Sequence, residues 1–309
     1  MSDPLDEFPR QFARTRRFSL GVPRSFTVSP DGERVVFLRT RTGDDPVSCL
    51  WVFDTNSGEE RCVFDPRELA GADEEDLTEA ERARRERTRE QSSGVTAYAA
   101  DRDFRRAVFA VSGRMFLVDL VEGSARELSS PGAVDDPRLD PSGERIASVM
   151  GGALHAREIG GGDRVLAADD EPDVFWGLAE FAAAEEMDRR RGHWWSPDGS
   201  TLAATRVDER PVTIWHIADQ TDPAAPPRAM RYPQAGTDDA IVTLHLFDVA
   251  TGDRTDVAWD AEAFPYLARF DWSESGPPLV LVVARDQRTT RLLEVDPATG
   301  RTSLVREAT

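Results

Sequence analysis

The chain of 309 residues contains no lysine; all 38 of its basic residues are arginine. That removes Schiff-base chemistry and the lysine of a phosphate-binding loop from this chain. Only two cysteines occur, Cys49 and Cys62, too few for a disulfide framework. Each falls in a strand-like run, where a small buried hydrophobe is the simplest reading. Histidines number four, at 155, 193, 216 and 245. None is spaced with another for a metal, no Cys-x-x-Cys exists, and no metal or cofactor is expected. His155, His216 and His245 lie in strand-like runs and read as structural. There is no Gly-x-Ser-x-Gly elbow. No apolar run reaches the roughly 18 residues of a membrane span. The N-terminal MSDPLDEFPRQFARTRR lacks the apolar centre of a secretory leader, so a cytoplasmic location is expected. Basic charge is also short: 57 acidic residues leave a net charge of −19. Such a surface opposes nucleic-acid phosphates and anionic membranes, and neither is expected as a partner.

What the chain has is apolar material, 39% of its residues, enough for a large core in one large domain or two smaller ones. It also has a loose two-part repeat. The first part is a turn before an apolar run: Ser29-Pro30-Asp31-Gly32 before Val35-Val36-Phe37-Leu38. It returns at Asp140-Pro141-Ser142-Gly143 and at Ser196-Pro197-Asp198-Gly199, with weaker copies at Asp101-Arg102-Asp103-Phe104 and Ser273-Glu274-Ser275-Gly276. The second part is a strand followed by a polar turn, as in Leu50-Trp51-Val52-Phe53-Asp54 and Thr55-Asn56-Ser57-Gly58. Leu244 to Gly252 and Leu292 to Gly300 repeat it. Proline presets φ, aspartate tolerates tight turns and glycine accepts positive φ, so short β-branched runs between such turns are strands. Two hairpins make a four-stranded sheet that cannot bury both faces alone. Radial stacking of such sheets gives a β-propeller. The expected fold is therefore all-β, a β-propeller over 26–309 after an N-terminal lead-in of 1–25. About five blade-like units fall at 26–64, 97–129, 136–168, 193–260 and 266–307. An ordinary β-sandwich is the alternative.

Two segments break the strand rhythm and are expected as short helical insertions. One spans 65–94; its centre, Thr78 to Arg87, is rich in helix formers and opens with Thr78 and Glu81 at capping-box spacing. The other runs from Gly177 to Gly192, alanine- and glutamate-rich between glycines. A proline-rich stretch at 222–227 reads as a loop inserted in the fourth unit. Gly160-Gly161-Gly162 reads as a hairpin turn, lacking the strand-loop-helix context of a phosphate cradle.

The second insertion carries Glu185-Glu186 ahead of three arginines. On residue chemistry alone this is a solvated helix face, with Glu185–Arg189 and Glu186–Arg190 at i, i+4 spacing. Its context points elsewhere. Glu185-Glu186-Met187-Asp188-Arg189, then Gly192-His193-Trp194-Trp195-Ser196-Pro197-Asp198-Gly199, resembles the glutamate motif of the dipeptidyl peptidase IV family, exo-acting relatives of prolyl oligopeptidase. Trp176 to Phe181 resembles the lead into that helix, and Tyr232-Pro233-Gln234-Ala235-Gly236 the family's Tyr-Pro-x-Ala-Gly loop. Tyr266-Leu267-Ala268-Arg269 and Arg285-Asp286-Gln287 fit the following blade. Arg84 to Arg89 with Gly94 to Tyr98 resembles the arginine-bearing segment. The resemblance covers nearly the whole chain.

The resemblance implies an eight-bladed propeller capping an α/β-hydrolase domain that holds a serine triad. The glutamate pair, here Glu185 and Glu186, would bind the free α-ammonium of a peptide. An arginine, here Arg89 with Arg87 and Arg85 as register alternatives, would hold a backbone carbonyl. The expected partners are peptide N-termini and the C-terminal α/β-hydrolase domain. That domain is expected to be absent from this chain, which would recognise substrate without hydrolysing it. Two carboxylates suit an ammonium, which has three donors and one charge. Fixing the amine at a set distance from a nucleophile releases dipeptides by positioning alone. A non-catalytic peptide- or protein-binding propeller is the alternative; a lactonase- or glycosidase-like propeller enzyme is a more distant one.

Overall fold

A computed structural model describes residues 4–69, 77–218, 220–221 and 224–309. Residues 1–3 of the lead-in, 70–76 of the first charged segment and 222–223 of the proline-rich stretch lie outside the described residues.

Strands dominate, and consecutive strands pair antiparallel. The first sheet is ordered Arg24–Val28, Arg34–Thr40, Val47–Asp54, Glu60–Phe64, with Ser93–Gly94 added parallel to Val47–Asp54. The second is Ala99–Ala100, Arg106–Val111, Arg114–Asp119, Ala125–Leu128, and the third Val134–Leu139, Arg145–Met150, Ala153–Glu158, Asp163–Ala167. The fourth sets both Val174–Trp176 and His193–Trp195 on Thr201–Asp208, followed by Ile241–Asp248 and Arg254–Val257. The fifth is Tyr266–Asp271, Leu279–Val283, Thr290–Val295, Thr302–Ala308. Ile214–Ile217 and Arg228–Arg231 form a separate two-stranded ribbon.

Each interval read from the repeat matches one sheet of at least four strands, but the fourth also contains the two-stranded ribbon, and its main sheet begins at Val174, not at 193. Its first strand is interrupted by the helical insertion, so the break in rhythm conceals one strand of the pattern.

The turns explain the regularity. Gly32, Gly143 and Gly199 donate their N–H to the carbonyls of Ser29, Asp140 and Ser196, at 2.8, 3.0 and 2.9 Å. The side chains of the same three residues accept the N–H of Arg34, Arg145 and Thr201, which opens the next strand. The glycine position needs positive φ, +74° at Gly32. In the weaker copy Phe104 holds that position at φ +53°, its ring buried in the core, where burial offsets the backbone cost.

The chain forms two compact units, residues 1–151 with 156–163, and 152–155 with 164–309. The core of the first gathers Leu38, Leu50, Phe64, Phe109 and Phe116, with a second cluster around Met115, Leu117 and Ile146. The core of the second gathers Trp194, Leu244, Leu246, Leu267, Phe270 and Val280.

Three α-helices are described, one more than the two insertions expected, besides a single 3-10 turn at Pro66–Glu68. Helix α1, Pro4–Arg14, lies in the lead-in; its Phe8 and Phe12 stack on each other, and Phe18 packs tilted on Phe8 and edge-on to Phe12, with centroids 5.8–6.0 Å apart. Phe8 and Phe12 at i, i+4 are the sequence signal for it, obscured by Pro9 inside the helix. Helix α2, Glu79–Thr88, starts where the capping pattern places it: Thr78 accepts the N–H of Glu81 at 3.0 Å. The reciprocal half of the capping box is missing, because the Glu81 carboxylate is taken by Arg84 and Arg85. Helix α3 covers only Phe181–Glu186 of the expected Gly177 to Gly192.

Candidate functional site

The short α3 is best understood from its ends. Val174–Trp176 pairs with Thr201–Asp208 at Trp176↔Arg206, and His193–Trp195 resumes on the same strand at His193↔Ala204. Everything between, 177–192, leaves the sheet and returns at one residue. Gly177 N donates to Thr205 O at 2.8 Å, and Thr205 N donates to Gly192 O at 2.8 Å. Nδ1 of His193 lies 2.9 Å from Gly177 O, bracing the two arms of the neck. A Cβ on Gly192 would stand 2.5 Å from both N and O of Leu178, so the arms cross at backbone contact and only glycine fits.

Inside the loop an ion pair replaces the pattern expected for an isolated helix. Glu180 precedes the first residue of α3 in extended conformation, φ −72° and ψ 171°, and makes no side-chain cap bond. Its carboxylate instead meets Arg189 Nη2 at 2.5 Å, with both side chains buried, 5% and 3% exposed. Arg189 arrives there because Asp188 takes φ +54°, breaking the helix and folding the chain back so that Arg189 N donates to Ala183 O. The guanidinium also donates from Nε to Leu267 O at 2.9 Å and from Nη1 to Arg191 O at 3.1 Å. Arg190 pairs with Asp188 at 3.0 Å. Neither of the i, i+4 pairs expected of a solvated face is formed: Arg189 goes to Glu180 and Arg190 to Asp188. Glu185 and Glu186 end α3 with exposed side chains.

Around the helix runs an aromatic and polar margin. Phe181 meets Tyr232 edge-on at 5.0 Å, and Tyr232 meets Trp215 at 5.3 Å. A narrow cleft is lined by Glu180, Phe181, Pro233, Asp239 and Tyr266. Tyr266 donates its hydroxyl to Asp239 at 2.6 Å, and Arg285 pairs with the same carboxylate. Burial, then the Asp239 charge, pushes Tyr266 up to about 12. The segments quoted for their resemblance, at 232–236, 266–269 and 285–287, thus meet beside α3. Asp239 and the Glu180–Arg189 pair were not singled out in the sequence. Their signal, an acid and a base separated in the chain without helical spacing, is invisible until the loop closes.

The arginine candidates belong to the first unit and the glutamates to the second. Arg89 caps the C-terminus of α2 in the left-handed region, φ +51°, with its side chain exposed. Arg85 is committed to Glu81 at 2.7 Å. Burial raises Glu81, but Arg84 and Arg85 outweigh it and hold the carboxyl below its ordinary range. Glu90, next to Arg89, is bound by Arg24 at 2.6 Å.

His245 is held at both ring nitrogens. Its Nδ1 is 2.7 Å from Asp256 and its Nε2 2.7 Å from Thr243. Burial holds its pKa below the ordinary value despite the carboxylate. Sheet register accounts for this chain of groups: Thr243 and His245 share one strand face, and Asp256 stands directly opposite His245. Among the described residues, no group of three or more His, Cys, Asp or Glu is arranged to hold a metal ion.

Mostly antiparallel sheets of four or five strands in succession, one of them extruding a carboxylate-bearing loop from its first strand, define a β-repeat protein. Comparison with known proteins gives the family. The profile of the dipeptidyl peptidase IV N-terminal region matches residues 89–309, and the chain belongs to that family. A probable dipeptidyl peptidase 4 of Neosartorya fischeri is 29% identical over 230 residues, 70% of this chain and 29% of the relative. The dipeptidyl peptidase 4 of Arthroderma otae is 27% identical over 221 residues, 67% of this chain and 28% of the relative. The crystal structure of Porphyromonas gingivalis dipeptidyl peptidase 4 superposes with a TM-score of 0.74 at 19% identity, covering 100% of this chain and 42% of that one. The aligned region therefore spans under a third of these curated relatives, which are longer proteins.

Proposed function

We propose that this chain is the substrate-recognition propeller of a serine dipeptidyl peptidase, its sheets being consecutive blades over 26–309. In this reading Glu185 and Glu186 accept the free α-ammonium of a peptide, and Arg89 donates to a peptide backbone carbonyl. Hydrolysis is the work of an α/β-hydrolase domain in the full-length protein, which acts in the cytoplasm. The propeller controls which peptide ends reach that domain.

The observation that carries this reading is the placement of the pair: Glu185 and Glu186 stand side by side at the end of α3 with exposed side chains, on a loop anchored by the buried Glu180–Arg189 pair. Two adjacent carboxylates on a closed, buried-anchored loop repel each other, and a cation relieves that repulsion. An ammonium supplies the matching donors through charge-assisted bonds.

The experiment is a binding titration of a short Xaa-Pro peptide against its N-acetylated twin, with Glu185→Gln and Glu186→Gln as variants. The free-amine peptide should bind at least about tenfold tighter, and either substitution should remove most of that preference. Equal binding of the two peptides would rule the reading out. Binding of the free amine with no hydrolysis by the full-length protein would favour a non-catalytic peptide-binding propeller.

A further inference from the structure

The two cysteines stand together on the first sheet. The ladder between Val47–Asp54 and Glu60–Phe64 is irregular: Leu50 faces Phe64 while Trp51 faces Cys62, so Val63 drops out of register. Cys49 lies two residues before Trp51 on the same strand face, which sets Cys49 and Cys62 diagonally across the strand pair. Their thiols share a hydrogen bond. Both are free cysteines; Cys49 is fully buried, 0% exposed, and Cys62 only half-buried. Cations frame the pair. Arg67 reaches Cys49 Sγ from Nη2 at 3.8 Å while binding Asp65 and Asp45. Arg41 binds Asp65 at 2.6 Å, near enough to Cys62 for its charge to favour the thiolate. Arg39, opposite Cys49 on the neighbouring strand, covers the Trp51 ring at 4.3 Å.

These surroundings make the two sulfurs chemically unequal. The hydrogen bond from Cys49 outweighs burial and, with the Arg41 charge, holds the Cys62 thiol below its ordinary range. The same bond, then burial, pushes the Cys49 thiol up. Two cysteines that merely filled space would need neither a shared hydrogen bond nor a guanidinium at the sulfur. A solvent-reachable thiol beside arginine, with a second thiol behind it, is the arrangement of an exchange site. We propose that Cys49 and Cys62 are a thiol–disulfide exchange pair: Cys62 attacks a small disulfide, and Cys49 resolves the adduct into a bridge between Val47–Asp54 and Glu60–Phe64. In the first step the Cys62 thiolate attacks one sulfur of the small disulfide, whose S–S bond breaks and releases one thiolate. Cys49 then attacks Cys62 Sγ, the mixed S–S bond breaks, and the second thiolate leaves. The protons lost by Cys49 and Cys62 end on the two thiols released. The cysteine pair is thereby oxidised by two electrons and the small disulfide reduced by two. The half-buried sulfur meets the reagent first, and the buried one is placed to meet only the adduct.

The test uses this chain with excess oxidised glutathione as the small disulfide, read by intact mass and by peptide mapping without reductant. Wild type should lose about 2 Da, its Cys49 and Cys62 peptides should be recovered linked, and dithiothreitol should reverse the change. Cys49→Ala should stop with one glutathione held on Cys62. Cys62→Ala should take up none while folded, because Cys49 is buried. Folding of both variants is checked by thermal melting. If either does not fold, brief exposure of wild type to iodoacetamide gives the same ranking: Cys62 should be alkylated at least about tenfold faster than Cys49. Cys49 reacting as fast as Cys62, a glutathione adduct that persists on Cys62 of wild type, or no reaction at either cysteine would overturn the proposal.

Discussion

Replacing Gly192 with alanine should damage the loop neck without touching any charged group. The added Cβ would lie 2.5 Å from Leu178 N, 2.5 Å from Leu178 O and 2.6 Å from Gly177 C. All three are backbone atoms, so no flexible side chain can swing aside. The arms must separate by about an ångström to restore van der Waals contact. That movement breaks or stretches the bonds Gly177 N to Thr205 O, Thr205 N to Gly192 O and His193 Nδ1 to Gly177 O. At about 1 kcal/mol each, the three sum to about 3 kcal/mol, the upper end of ordinary overpacking costs. For a unit of this size the loss corresponds to a melting temperature lower by roughly 6–12 °C. The control is Gly276→Ala, in the same unit, where nothing lies within 4 Å of the new Cβ and φ is not positive. It should stay within about 0.5 kcal/mol of wild type. Denaturant melts of both variants, with hydrogen exchange at the Thr205 amide, measure the effect. If Gly192→Ala melts with the Gly276→Ala control and the Thr205 amide stays protected, the neck does not constrain the loop as described.

Further expectations concern α2 and its surroundings. Thr78→Ala should cost about 1 kcal/mol through loss of the N-cap, and Thr78→Ser much less, by denaturant melts. Burial raises Asp135, which accepts from Thr78, to about 6, above its unfolded value. The folded state therefore holds the proton more tightly: this stability is full below about pH 4 and is lost as pH rises through about 6. Asp135→Asn should match wild type at pH 4 and exceed it by about 1–2 kcal/mol at pH 8; a gap that does not depend on pH would refute the assignment. Arg89→Gly relieves a left-handed arginine, so stability should rise by about 0.5–1 kcal/mol. If Arg89 holds a peptide carbonyl, binding should weaken in the same variant, so the two measurements move in opposite directions.

The repeat was readable because it rests on local chemistry. A serine or aspartate before a positive-φ glycine builds the same hydrogen-bonded turn wherever it occurs, and Ser29, Asp140 and Ser196 each carried the signal in a few residues. The Thr78 cap was legible for the same reason. The fourth sheet was misread at its start because Val174–Trp176 and His193–Trp195 are one strand path split by sixteen residues, and pattern reading follows sequence rather than pairing. The length of α3 was overestimated because Ala, Glu and Arg propensity favours helix through Arg191. Tertiary contact overrides it: the ion pair with Glu180 draws Arg189 back and ends the helix at Glu186. The helix α1 was passed over because Pro9 masks its Phe8–Phe12 spacing. The glutamates and Arg89 were named from resemblance, and the fold supplies what resemblance lacked, the fate of the neighbouring arginines.

The neck at Thr205 has an evolutionary corollary. Because residues 177 and 192 enter and leave the sheet at the same rung, the loop is an interchangeable cassette. Its fourteen internal positions, 178–191, can be lengthened, shortened or rewritten with no change in the pairing of Thr201–Asp208 with Ile241–Asp248. If the loop reads a ligand end as proposed, a lineage could alter that reading by exchanging the cassette alone, and an engineer could transplant it into another sheet that offers one buried threonine and two glycines to close it.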